Sequence, residues 1–287
     1  MRIALAVILV ACSSPTKPTP VAVQPPPQPA PVTPAQDQDI PLPTPANGLA
    51  WDAADKALYI AADTKLLKWT SGTEFTPVAD FPATGKLSLG GVVKLADGSF
   101  LVTSFGFGTD GTVFHVDAQH KVSAVPNLDP KRRRVGIAVG PDAAIYDAYF
   151  VMDGKDHTGG LAKLDLVKGE TDVPLGTTLS KVVGVVATKR GVFISDQGAN
   201  AIYAVGNATP IAKDLPSADM LAVLPDGALV TGGKNGVVSK VTLDGTITML
   251  AQGYESVRGI AVDGEGKRLF VVEHGKDKHV LHIVKLP

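Results

Sequence analysis

The chain has 287 residues, 45% hydrophobic and 19% charged, with 30 Gly, 22 Pro and a single Cys. Its 27 basic and 28 acidic residues balance, so no overall field draws nucleic acid, and no nucleic-acid partner is expected. One cysteine excludes a disulfide framework and any CxxC zinc or redox site, while the Gly and Pro content suits short strands and tight turns better than a helix bundle.

At the start, Met1-Arg2 precedes an apolar run from Ile3 to Ala11 that ends at Cys12. A charged start, a short apolar stretch and a small residue at its end predict a secretory signal over 1–11. As a helix the run reaches about 14 Å, well short of a ~30 Å hydrocarbon core. Leu9-Val10-Ala11-Cys12 resembles the bacterial lipobox. The resemblance implies lipidation of Cys12 and an anchored, extracytoplasmic protein of the bacterial cell envelope. Ser13 follows the cysteine instead of the Asp that retains enteric lipoproteins at the inner membrane, so the outer membrane is the expected address. Residues 12–46 then form a linker. Positions 13–46 hold twelve of the 22 prolines and no aromatic residue, a composition that cannot bury a core and tends to polyproline II. At ~3.1 Å per residue it reaches on the order of 100 Å.

The texture changes at Asn47. Apolar segments recur at Gly48, Gly91, Gly136, Gly184, Met220 and Gly259, spaced by 43, 45, 48, 36 and 39 residues. Each is followed by a second β-rich segment, as in Ala57 to Ala61, Phe100 to Thr103 and Leu269 to Val272, and then by a third. A repeat near 40 residues built from short strands and Gly/Asp turns predicts propeller blades. The fold expected is all-β: a six-bladed β-propeller over 47–287, preceded by the lipoprotein signal and the disordered Pro-rich linker. The last repeat supplies three strands, so residues 38–45, with Asp39 to Thr44 as the strand, are expected to close the ring from the other terminus. Tyr149 to Gly160 reads as an inserted top loop, and Gly106 to Gly111 as a glycine-rich hairpin loop, since a strand and not a helix follows its GxGxxG spacing.

Asn47-Gly48-Leu49-Ala50-Trp51-Asp52 with Leu58-Tyr59-Ile60-Ala61-Ala62-Asp63, and Arg258-Gly259-Ile260-Ala261-Val262-Asp263 with Leu269 to Glu273, resemble the repeat unit of NHL and gluconolactonase-like (SMP-30-type) propellers. The resemblance covers nearly the whole head and implies a top-face site. Gluconolactonase-like hydrolases hold one divalent cation there, through a first-blade Glu with Asn and Asp from later blades. Here Asn47 replaces the Glu, Val183 replaces the Asn, and Asp219 stands where the Asp belongs.

The residue before each lead glycine should rim the channel: Asn47, Gly90, Val135, Val183, Asp219 and Arg258. The top-face loops should add Asp63, Asp147, Asp196, Gln197, Lys234, Glu273 and His274. From these, Asn47, Asp196, Asp219, Arg258, Glu273 and His274 are the candidate ligand-binding residues, joined by Arg134 from the basic run Lys131 to Arg134, which enters the third blade at the top and with Arg258 could hold an anion. Asn47 and Asp219 are the metal ligands only if a cation (Ca, Mg or Zn) is held; no other cofactor is expected. With two expected ligands replaced, the reading favours a monomeric, membrane-tethered module that binds a small molecule or a protein. The alternative is a metal-dependent lactone or ester hydrolase.

Overall fold

The computed structural model describes residues 36–82, 87–276 and 278–286. The signal over 1–11, Cys12 and the linker up to residue 35 lie outside the described residues.

The strand β1 (Gln36–Pro41) comes first in the chain but belongs to the last blade. Blade 1 is β2 (Ala46–Asp52), β3 (Ala57–Ala62), β4 (Lys65–Trp69) and β5 (Thr76–Asp80), paired antiparallel in that order. Blade 2 is β6 (Leu89–Lys94), β7 (Phe100–Ser104), β8 (Thr112–Val116) and β9 (Val122–Ala124). Blade 3 is β10 (Arg133–Val139), β11 (Ile145–Asp153), β12 (Asp156–Asp165) and β13 (Gly169–Asp172). Blade 4 has three strands, β14 (Val182–Thr188), β15 (Gly191–Asp196) and β16 (Ala201–Ala204). Its fourth position is marked by an isolated bridge between Ile202 and Ala212. Blade 5 is β17 (Met220–Val223), β18 (Leu229–Gly232), β19 (Val237–Val241) and β20 (Ile247–Gln252). Blade 6 is β21 (Val257–Val262), β22 (Arg268–His274) and β23 (His279–Lys285), completed by β1 against β23. The closing strand falls at 36–41, two or three residues before the expected segment.

The core is divided among the blade interfaces. On β3, Leu58, Ile60 and Ala62 pack towards blade 6, while Ala57, Tyr59 and Ala61 pack towards blade 2. Alternate side chains of a strand point to opposite faces, and both faces are covered here, which is why the second strand of a blade reads as an unbroken apolar run. Four more clusters fill the remaining interfaces in ring order.

The lead glycines sit where one blade's innermost strand meets the next. A Cβ on Gly48 would stand 2.0 Å from the Gly90 carbonyl oxygen, and one on Gly184 would stand 2.4 Å from that of Asp219. Gly259 closes the circle, with the Asn47 carbonyl at 2.7 Å from its Cβ position. The strand just before each glycine is bulged. Ala46 pairs with Ala62 and Gly48 with Ala61, leaving Asn47 as the extra residue. Val135, Val183 and Arg258 are extra in the same way. A bulge turns its residue out of the ladder, here towards the axis.

One expectation is corrected. Tyr149 to Gly160 is no loop: β11 and β12 pair from Ile145 with Leu164 to Asp153 with Asp156 around a two-residue turn. Gly160 at its end makes room for a ring, since a Cβ there would lie 2.3 Å from the Tyr149 side chain.

Candidate functional site

Asn47, Gly90, Val135, Val183, Asp219 and Arg258 all line one cavity of about 590 Å3, a volume typical of small-molecule sites. The connections after the second strands of blades 1, 2, 4 and 5 add Asp63, Phe105, Phe107, Gln197 and Lys234, the end of β22 adds His274, and the entry to β14 adds Lys181.

Asp219 is 5% exposed. Its Oδ2 accepts a hydrogen bond from Gln197 Nε2 at 2.6 Å, and its backbone carbonyl accepts one from the Ser195 hydroxyl. Burial pushes its carboxyl up to about 6, although Arg258, the Gln197 hydrogen bond, Lys181 and Lys234 all pull it down. Lys181 is half-buried. Burial pushes its ammonium below the ordinary lysine value; Asp219 opposes this, and the charges of Lys234, Arg258 and Arg133 add to it. Among the described residues, Lys181, Lys234 and Arg258 enter no ion pair, in contrast to Arg132, Arg134 and Arg268. His274 is held below the ordinary histidine value by burial and by the charges of His279 and Arg258.

Blades 2 and 3 supply an aromatic wall. Phe105 and Phe107 meet edge-on at 5.0 Å between centroids, and Phe105 meets Phe150 at 5.8 Å. The Lys181 ammonium lies 5.0 Å from the Phe150 centroid. Phe107 is 44% exposed and has φ +53°, between Gly106 and Gly108, which are also left-handed. A bulky side chain in that region is strained.

Of the other candidates, Arg134 also lines the cavity, with its guanidinium engaged by carboxylates, while Asp196 and Glu273 support the rim from outside the lining. Arg134 is fully buried; its guanidinium donates to Asp147, to both carboxylate oxygens of Glu170 at 2.9 Å, and to the Asp129 carbonyl. Only neighbouring Val135 is bulged to the axis. The Asp196 carboxylate accepts from the Ser180 and Lys181 amides at 2.9 Å and from the Gly198 amide at 2.9 Å, fixing the turns that present Lys181 and Gln197. Glu273, 1% exposed, accepts from the Glu255 amide, from Lys278 and from His282 Nε2. His274 is left on the cavity side, its ring edge-on to His279 at 4.5 Å. The signals for Lys181 and for the Phe105–Phe107–Phe150 wall were absent from the sequence pattern, because neither falls at a lead-glycine position.

The residues present do not fit the divalent cation of gluconolactonase-like enzymes. Asn47 Nδ2 donates to the Leu89 carbonyl at 2.8 Å, leaving one neutral oxygen. Val183 offers no donor, and Asp219 already lies in the field of three cations. Among the described residues no three His, Cys, Asp or Glu side chains converge as a metal site.

By sequence the chain matches no protein-family model and no curated protein. Solved structures do resemble it. A luciferin-regenerating enzyme superposes with TM-score 0.67 at 15% identity, over 87% of this chain and 95% of that one. A gluconolactonase from Xanthomonas campestris gives TM-score 0.67 at 16% identity, over 85% and 86%. A virginiamycin B lyase from Staphylococcus aureus gives 0.61 at 12% identity, over 87% and 99%. At such identities the likeness is one of fold: the chain is a six-bladed β-propeller whose structural neighbours include gluconolactonase-like propellers.

Proposed function

We propose that this protein is a tethered binding module whose top-face channel receives a small molecule, held at the bacterial envelope by a lipid on Cys12. The observation that supports it is the convergence of bulged rim residues on a single cavity of about 590 Å3. Among the described residues, its cations Lys181, Lys234 and Arg258 enter no ion pair, and its oxygen donors do not suit a metal. The neighbours bear the names of a lactonase, a regenerating enzyme and a lyase, so the scaffold carries no single reaction with it. Metal-dependent hydrolysis remains the second reading, favoured by the gluconolactonase neighbour and by Asp219 at the fifth blade.

The test is a thermal-shift screen of a small-molecule library sorted by charge, on the wild type and on Val135→Trp, which fills the channel. Stabilising compounds that lose their effect in Val135→Trp are expected. No stabiliser, or stabilisers indifferent to the plug, would overturn the reading. Calorimetric titration with Ca, Mg, Mn and Zn separates the alternative: micromolar binding abolished by Asp219→Ala would restore the hydrolase. For the anchor, Cys12→Ser is expected to move the protein from the membrane fraction to the soluble one.

A further inference from the structure

Lys181, Lys234 and Arg258 reach the cavity from blades 4, 5 and 6, and the phenylalanines stand on blades 2 and 3, the other side of the ring. Resting on the channel reading above, we infer that the cavity takes an amphiphilic anion. A carboxylate or phosphate is held by Lys181, Lys234 and Arg258, and an aromatic or other flat apolar body lies against Phe105, Phe107 and Phe150.

Arg134 is spent on Asp147 and Glu170, so the cavity sets Lys181, Lys234 and Arg258 against Asp63 and Asp219. That leaves a cationic surplus in a chain whose net charge is −1. Like charges gathered at one cavity repel, as Lys234 and Arg258 do Lys181, and an oxyanion there relieves the repulsion of all three at once. Arginine adds a planar fork that matches carboxylate and phosphate oxygens.

Phe107 is a large side chain left 44% exposed at the cavity mouth. Its loop is seated tightly on blade 3, since a Cβ on Gly111 would stand 1.8 Å from the Arg132 carbonyl oxygen. A left-handed phenylalanine held this rigidly is a contact surface kept at the cost of strain, and its edge-on stack with Phe105 leaves a ring face for a flat partner.

The test is calorimetric titration of the purified full chain with phenyl phosphate, phenylacetate, inorganic phosphate and benzyl alcohol at low and high salt. At least one aromatic anion is expected to bind tenfold or more tighter than both benzyl alcohol and inorganic phosphate, with affinity falling as salt rises. The order of phenyl phosphate and phenylacetate distinguishes phosphate from carboxylate recognition. Lys234→Gln and Arg258→Gln, both exposed, should each weaken the aromatic anion about tenfold without lowering the melting temperature. Phe107→Ala should weaken it while leaving inorganic phosphate unchanged. Equal binding of benzyl alcohol, or indifference to both Gln variants, overturns the anion assignment but leaves the channel reading standing if Val135→Trp abolishes binding. So does failure of all four probes in a protein whose channel captures other library compounds. Binding that survives Val135→Trp overturns both.

Discussion

Asp219 and Arg134 are both buried charges, and they are expected to act on stability in opposite directions. An aspartate in the unfolded chain titrates near 4, whereas burial lifts the Asp219 carboxyl to about 6. The folded state therefore binds more protons between those values, and stability falls as pH rises through them. The ionised side chain costs up to about 3 kcal/mol above pH 6, at about 1.4 kcal/mol per pH unit. Asp219→Asn should thus be more stable than the wild type at pH 7.5, with the gap closing as pH falls from 6 to 4. Melts of both proteins across that range check it; a variant that is less stable at pH 7.5 would refute the sign. Arg134 is compensated by Asp147 and Glu170. Arg134→Met strands Asp147, which is itself fully buried, and should cost about 3–5 kcal/mol in urea unfolding, whereas Arg258→Gln on the rim should change stability by less than about 0.5 kcal/mol. Sequence placed both arginines at the channel mouth. They differ by the one-residue step of the bulge, which sends Val135 to the axis and Arg134 into the blade; a shift of one residue swaps strand faces.

At the scale of the element, the lead glycines are ordinary in the sequence and demanding in the fold. Gly98 and Gly48 separate the two uses of glycine. Gly98 has φ +88° in an open turn with nothing within 4 Å of a Cβ, so Gly98→Ala should cost about 1–2 kcal/mol of backbone strain. Gly48→Ala places a methyl group 2.0 Å from the backbone of the next blade, where nothing flexible can yield. A loss of about 3 kcal/mol or more is expected, read as a difference in urea midpoint between the two variants. The repeat of strands and turns was legible because each blade writes the same pattern, and the rim positions followed from it. The cations and the aromatic wall were not legible. Lys181 and Phe107 sit on connections whose course is set by local contacts, such as the Asp196 cap on the Lys181 amide, that leave no period in the sequence. The β11–β12 hairpin was not legible for a related reason: it is fixed by close packing, Gly160 against the Tyr149 ring and Gly159 against Val182, and such contacts leave no period either.

The whole ring depends on a strand that enters from the far end of the chain. Without β1, blade 6 would end at β23 with an open edge, which proteins avoid exposing. The strand is held by more than its ladder. Ile40 is fully buried in the cluster between blades 6 and 1, with Leu58, Phe270 and Ile283. Its neighbour Asp39 meets His282 Nδ1 at 2.7 Å, and His282 Nε2 meets the buried Glu273 at 2.9 Å. A chain of polar contacts thus runs from the closing strand through β23 to β22, the strand that ends at His274 on the cavity wall. In the sequence this segment looks like the tail of a proline-rich linker, and only the missing fourth strand of the last repeat betrays it. If closure holds the ring, a small change in Ile40 should destabilise the entire head, although it lies beside a linker. Ile40→Ala is expected to cost about 2–4 kcal/mol, as for any buried isoleucine, and to lower one cooperative melting transition. Asp39→Asn should cost less, because Asp39 is half exposed. Hydrogen exchange then discriminates between global and local effects. Faster exchange in blades 1 and 6 in Ile40→Ala is the expected result, with the channel rim of Asn47 and Arg258 loosened together. Exchange altered only at residues 36–41 would mean that the ring stands without its closing strand.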